Sequence, residues 1–257
     1  MPTGGTNLNP RQAEIVQRVE ANGFATIETL MREFGVSAQT IRRDIIQLDK
    51  QGILRRFHGG AGLPRDNERL EYQQKKSVSV EGKHHIGAGV AGMIGDGAAV
   101  FLDVGTTVEA VAHELTHRHD LSVFTNSLAS AMALAGSRLS NVVVTGGLIH
   151  GADGSLIGDT AIDAIRNYRF DVAVIGCSGF GDDGAVMDFD LHKVGVKKAA
   201  MANARRVILA ADHSKFSRTA FVRIAPLEDF SDLVTDTAPP AALGSALMAA
   251  GVDLVVV

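Results

Sequence analysis

Gln39, Thr40, Arg42 and Arg43 stand together in the run Ser37-Ala-Gln-Thr-Ile-Arg-Arg-Asp-Ile45. Arginine can bond guanine O6 and N7 with two donors, and glutamine can do the same to adenine N6 and N7, so the run carries the chemistry of base recognition. A second set is spread along the chain. Asp103, Gly105, Thr106 and Thr107 follow an apolar run and open a helical pattern, where free backbone amides and the helix dipole favour an anion such as phosphate. Thr125 and Asn126, Gly146 and Gly147, Ser178 within Gly176-Cys-Ser-Gly179, and Lys215 within Asp212-His-Ser-Lys215 stand at the ends of four further apolar runs. Hydroxyls donate, glycines leave room, and Lys197 with Lys215 supplies the charge to neutralise a phosphate dianion.

The first set needs a helix held from one side. Ser37 is a suitable N-cap and Gly52 a suitable stop, and at 100° per residue Ile41, Ile45 and Leu48 form one stripe, with Gln39, Arg43, Gln47 and Lys50 opposite. Two helices should precede it. Asn9-Pro10 opens one that carries Ile15, Val16 and Val19 and stops at Gly23, and Thr26 caps another, with Ile27, Leu30, Met31 and Phe34 on one face. Gly35-Val36 leaves the short turn of a helix-turn-helix. The following Ile53-Leu-Arg-Arg-Phe-His-Gly-Gly-Ala-Gly62 reads as a wing, from which Arg55, Arg56 and His58 reach phosphates.

The second set needs strands that end together. Seven aliphatic runs qualify, at 98–104, 121–124, 142–144, 172–175, 207–211, 233–234 and 254–257, and they are too uniformly apolar for strands with a wet face. Helical patterns at 107–117, 127–136, 160–167, 192–204 and 239–249 alternate with them. The expectation is an α/β domain with a mainly parallel sheet, its ligand at the C-terminal strand ends.

At 257 residues and 46% hydrophobic the chain can bury two aliphatic cores. The net charge of −4 divides unevenly: residues 1–64 carry eight Lys or Arg against six Asp or Glu, and the remainder is acidic. A weakly positive head beside an acidic body suits DNA contact confined to the head. One cysteine and the lack of any 18-residue apolar span point to a cytoplasmic protein, away from the membrane and associated with the nucleoid. The expected division is a winged helix-turn-helix over 7–63, a polar linker over 64–83 and a sensor over 84–257.

Residues 7 to 63, above all SAQTIRRDI and ILRRFHGGA, resemble the DNA-binding domain of the DeoR family of bacterial transcriptional regulators. The larger part is similar to that family's sensor domain, so the resemblance covers nearly the whole chain. It implies a fold related to ribose-5-phosphate isomerases and CoA-transferases that binds a phosphorylated sugar or polyol. It also implies a main phosphate loop of Asp103, Gly105, Thr106 and Thr107, in a pocket lined by Thr125, Asn126, Gly146, Gly147, Ser178, Lys197 and Lys215. Segments such as Gly105–His113, Asp188–His192 and Asp212–Phe216 resemble family members that respond to glycerol 3-phosphate. The implied partners are double-stranded operator DNA, that effector or another phosphorylated sugar or polyol, and further copies of the chain in a homodimer or homotetramer. The implied role is repression of a carbohydrate or glycerol catabolic operon. One position departs from the family, which usually has Glu where this chain has Lys193.

Three other patterns carry less. His113-Glu-Leu-Thr-His117 matches a zinc-protease motif but follows the phosphate loop on a helix already accounted for, and no metal or cofactor is expected. Gly87-Ala-Gly-Val-Ala-Gly92 matches a dinucleotide fingerprint but precedes its strand, so the glycines should instead allow close helix packing. Cys177 reads as a small buried thiol. An isomerase is the competing reading, but the related isomerases place an acidic pair where this chain has Cys177-Ser178, which favours binding without turnover.

Overall fold

The computed structural model describes residues 8–22, 24–57, 60–62, 72, 75–218 and 220–257. They fall into two compact units, Met1–Leu70 and Glu71–Val257.

The first unit is built from α1 (Pro10–Asn22), β1 (Phe24–Thr26), α2 (Ile27–Phe34), α3 (Ala38–Lys50), β2 (Arg55–Phe57) and β3 (Gly60–Gly62). Asn9 and Gln12 cap α1 reciprocally, since Asn9 Oδ1 accepts from the Gln12 amide at 2.9 Å and Gln12 Oε1 from the Asn9 amide at 3.2 Å. Thr26 and Ser37 cap α2 and α3 by accepting from the amides of Thr29 and Thr40. Gly35, at φ +62°, makes the left-handed turn between those helices. Ile15, Val19, Leu30, Ile41, Ile45, Leu48 and Leu54 form the core beneath them. The strands pair antiparallel in the order β1-β3-β2, a winged helix-turn-helix.

The second unit is an α/β domain. Its main sheet has seven parallel strands, β4 (Ala99–Leu102), β5 (Ser122–Thr125), β6 (Asn141–Val144), β9 (Phe170–Gly176), β12 (Ala204–Ala210), β14 (Asp232–Thr235) and β15 (Asp253–Val256). All seven apolar runs became these strands. Their alternation builds two cores: Val100, Leu102, Val172, Val174, Ile208 and Ala210 pack on one face, with Phe101, Ala173, Ile175, Val207 and Leu209 on the other. The first face is covered by α4 (Val80–Met93), α5 (Thr106–Leu115) and α6 (Leu128–Leu134). The other meets α7 (Asp159–Arg166) and α8 (Leu191–Ala202), and α9 (Ala241–Ala250) precedes β15. At the edges Val142, Val144, Leu254 and Val256 are exposed, so cover on both faces holds for the central strands and not for β6 and β15.

Short strands missing from the sequence pattern add two pieces. The hairpin β7 (Leu148–His150) and β8 (Ser155–Ile157) follows β6, and β10 (Gly179–Phe180), β11 (Val186–Asp188) and β13 (Val222–Ala225) form a small antiparallel sheet. α4 begins at Val80, inside the polar segment 64–83, where the buried Lys83 side chain anchors this turn to the domain. Its glycine pattern does serve packing, since a Cβ on Gly87 would lie 2.8 Å from the Ala110 carbonyl oxygen of α5.

The strand order is β15-β14-β12-β9-β4-β5-β6. From β4 the chain first builds outward through β5 and β6, then restarts on the other side with β9. The crevice between the C-terminal ends of β4 and β9 is therefore the topological switch point, where such sheets bind ligands.

Candidate functional site

In the first unit Gln39, Arg42 and Arg43 are exposed on α3, and Arg56 is exposed on β2. Ser37 Oγ lies 2.9 Å from Thr40 Oγ1, so these two shape the helix start while leaving the long side chains outward. Arg55 is half-buried and pairs with Gly62 in the wing, while His58 lies outside the described residues. The Arg56 amide donates to Asp49 Oδ1 at 2.9 Å, which ties the wing to the last turn of α3.

The structure gives Asp44 a use that the helical pattern does not show. It is buried, and Arg11 Nε and Gln12 Nε2 of α1 donate to it at 2.7 and 3.2 Å. Gln12 also donates to Gln47 Oε1 at 3.0 Å, which takes Gln47 partly out of the outward face. Asp44→Ala should lower the stability of this unit by about 1–3 kcal/mol, because a buried charge-assisted network loses its acceptor. Urea unfolding checks this, and an unchanged midpoint would remove Asp44 from the account.

In the second unit Asp103 stands at the switch point, fully buried. Its amide donates to the Val174 carbonyl at 3.1 Å, and its Oδ2 accepts from the Gly176 amide at 3.1 Å, so it links β4 to β9. Lys197 Nζ of α8 binds the same carboxylate, donates to the Gly176 carbonyl at 3.0 Å and lies 3.4 Å from Asp188 Oδ2. Burial pushes the Lys197 ammonium down, but Asp103 and Asp188 outweigh it and hold the group above its ordinary value. Burial pushes the Asp103 carboxyl up, against the pull of Lys197. Ser178 Oγ donates to Asp188 Oδ1 at 3.1 Å and belongs to the same network.

Lys197 therefore sits differently from the phosphate-neutralising position expected of it. Its ammonium hydrogen-bonds to Asp103 and the Gly176 carbonyl and is ion-paired with Asp188, and it braces the crevice floor. The reason is Asp188, on a short strand with no sequence signal.

Around this floor, Gly105 has φ +127° and ψ 151°, a conformation suited to glycine, and it opens α5 at Thr106. Thr107 Oγ1 donates to Asp212 Oδ2 at 3.3 Å, and Lys215 Nζ lies 3.7 Å from the same oxygen. The loop after β4 and the turn after β12 thus meet. Burial raises the Asp212 carboxyl, but Lys215 and the Ser214 hydroxyl bring it below the usual range. Burial pulls the Lys215 ammonium down, partly opposed by Asp212. Lys83 was not foreseen here, yet its ammonium is within electrostatic reach of Asp212, Lys215 and Glu109.

Other expected residues line up less directly. Thr125 is buried, with its hydroxyl donating to the Leu102 carbonyl at 2.8 Å, so it braces β5 against β4. Asn126 Nδ2 donates to the Leu156 carbonyl at 3.2 Å, while its Oδ1 is buried without a hydrogen-bond partner among the described residues, as is Asp103 Oδ1. Gly146 and Gly147 serve the β8–α7 junction, where a Cβ on Gly147 would lie 2.6 Å from the Ile157 carbonyl oxygen. Lys193 pairs with Asp153 of the β7–β8 turn, and His150 Nε2 lies 2.6 Å from Asp190 Oδ2, so the hairpin is clipped to the start of α8. His117 lies in the turn past the end of α5 at Leu115, so the His113–His117 pair is not carried on one α-helix. Glu114 between them instead meets His84 Nδ1 at 2.9 Å.

Comparison with known families matches residues 11–67 to the DeoR-like helix-turn-helix domain and residues 78–237 to the DeoR C terminal sensor domain. The chain belongs to the DeoR family. Its curated relatives include the glycerol-3-phosphate regulon repressors of Escherichia coli, 37% identical over 90% of this chain and 91% of that protein, and of Haemophilus influenzae, 38% identical over 89% of each. The HTH-type transcriptional repressor CsqR of Escherichia coli is 36% identical over 96% of this chain and 95% of its own length. Ribose 5-phosphate isomerase from Methanocaldococcus jannaschii is similar in structure, with 16% identity, a TM-score of 0.39 and 52% of each chain covered. With these relatives the protein is a DeoR-type transcriptional repressor and not an enzyme. No helix among its described residues is long and apolar enough to cross a membrane.

Proposed function

We propose that this DeoR repressor binds operator DNA through α3 and its wing and is released by a phosphorylated polyol or sugar, with glycerol 3-phosphate first among them. The observation that carries the effector reading is the convergence at the switch point. A glycine-opened helix start at Gly105–Thr107 faces the turn that carries Asp212 and Lys215, so backbone amides, hydroxyls and a lysine share one anion-suited crevice. The likeness to two glycerol-3-phosphate regulon repressors supports the choice of effector. Two heads in a homodimer or homotetramer read half-sites about 34–36 Å apart or a multiple of that. Effector binding need only favour a conformation that misplaces them by about 1–3 kcal/mol of coupling to weaken operator binding roughly 5- to 150-fold.

Calorimetric titration with glycerol 3-phosphate, inorganic phosphate and glycerol tests the site. Glycerol 3-phosphate should bind, glycerol should not, and a preference for glycerol would reject the phosphate crevice. On the DNA side, Arg43→Ala should cost about 1–3 kcal/mol on operator and relax preference at one base pair, whereas Arg56→Ala should reduce the salt slope by about one on any sequence. Equal losses on operator and random DNA for Arg43→Ala would remove it from base reading.

A further inference from the structure

Glu109 is a buried acid, only 6% exposed, one turn into the helix that opens the proposed phosphate site. Side chains on a helix lean toward its N-terminus, so this carboxylate leans back toward Gly105 and Thr106. A first-turn acid favours the helix dipole, which accounts for its sign but not for its burial or its partners. Two of its partners, Tyr72 and Lys76, come from the chain ahead of α4. Tyr72 Oη donates to Glu109 Oε1 at 2.7 Å, Lys76 Nζ lies 3.3 Å from Oε2, and the same ammonium stands 5.1 Å from the Tyr72 ring centre.

This stretch is fastened at two more places. Lys83 Nζ donates to the carbonyls of Lys75 and Val78, and Ser79 Oγ donates to Asp236 Oδ2 at 3.1 Å. Burial raises the Tyr72 phenol well above its ordinary value and the bond to Glu109 adds to this, so the phenol keeps its proton as a donor. Residues 72–79 join the sensor to the DNA-binding unit along the chain. Of the fastenings named here, the one at Glu109 lies on the helix that would receive phosphate.

We propose that Glu109 and the effector's phosphate compete for the same cation. Glu109 holds the connector through Tyr72 and Lys76, and a phosphate on Gly105–Thr107 repels that carboxylate, takes Lys76 as counter-ion and frees Tyr72. Tyr72 and Lys76 thereby become effector-site residues, and Glu109 a positioning residue through which occupancy reaches the connector. This rests on the reading of Gly105–Thr107 as the phosphate site.

The chain has no Trp and two Tyr, so Tyr168→Phe leaves Tyr72 as its tyrosine reporter. That substitution keeps the ring that packs on Phe124 and Phe170. A phenol bonded to a carboxylate emits weakly, and its release raises the emission. The full-length Tyr168→Phe protein is titrated with glycerol 3-phosphate while binding is followed by calorimetry. Emission should rise in step with the heat, and added Glu109→Gln should bind at least about fivefold more tightly with a blunted emission change. Lys76→Gln, on an exposed side chain, should bind the effector more weakly. Heat with steady Tyr72 emission, or unchanged affinity in both variants, would overturn the competition while leaving the phosphate site standing. No heat at all would overturn the phosphate site and the competition with it.

Discussion

Lys197→Met is expected to destabilise the sensor unit by about 3–5 kcal/mol, the cost of leaving a buried charge without its partner. Asp103 has no exposed surface, and Lys197 supplies its counter-charge while also closing on Asp188 and the Gly176 carbonyl. Methionine fills a similar volume, so the loss reads as electrostatic. The penalty should shrink as pH falls, because burial already raises the Asp103 carboxyl and protonation removes the uncompensated charge. Asp103→Asn combined with Lys197→Met should cost less than the two single changes added together, as expected for directly coupled groups. Urea unfolding at neutral and mildly acidic pH measures all three. A loss below about 1 kcal/mol for Lys197→Met would mean that the floor of the crevice is held by packing alone.

Gly105→Val and Lys215→Ala should each abolish release by effector while leaving operator affinity intact. A side chain at φ +127° and ψ 151° costs about 1–3 kcal/mol of backbone strain. A Cβ built on Gly105 meets no atom within 4 Å, so the damage is conformational, with no clash to spread it. Its consequence is a helix start whose amides no longer point as phosphate requires. A charge-assisted contact from Lys215 to the proposed phosphate would be worth about 1.5–3 kcal/mol, so its loss should weaken effector binding roughly 10- to 150-fold. The substituted residues belong to the sensor unit, and the α3 surface is unchanged. Calorimetry with glycerol 3-phosphate and operator titration of the same proteins separate the two effects. Normal release by either variant would move the phosphate elsewhere.

The parts of the fold that repeat a simple period were legible in the sequence. Ile41, Ile45 and Leu48 pack into the head as their spacing requires, and the seven apolar runs form the seven parallel strands, of which the central ones are buried on both faces and the edge strands β6 and β15 are not. Strands of two or three residues, such as Gly179–Phe180 and Val186–Asp188, are too short to show a period, and their pairing is fixed by the distant strand at 222–225. The loops that meet at the crevice, 105–107 and 212–215, were legible in the sequence, and the pairing of the charges around them was not. Lysine at 197 has the chemistry of a phosphate ligand, and only the approach of Asp103 and Asp188 in space turns it into a brace. Asp44 and Glu109 escaped for the same reason: each is an acid whose partners, Arg11 and Tyr72, are more than 30 residues away.

The most direct test of a repressor governed by this crevice is a gel-shift titration of the DNA upstream of its own operon with glycerol 3-phosphate, glycerol and a panel of sugar phosphates. The account predicts that the protein alone shifts this DNA, that a phosphorylated polyol or sugar weakens the shift by roughly 5- to 150-fold, and that glycerol does not. A specific shift that no phosphorylated compound alters, while glycerol does, would contradict it.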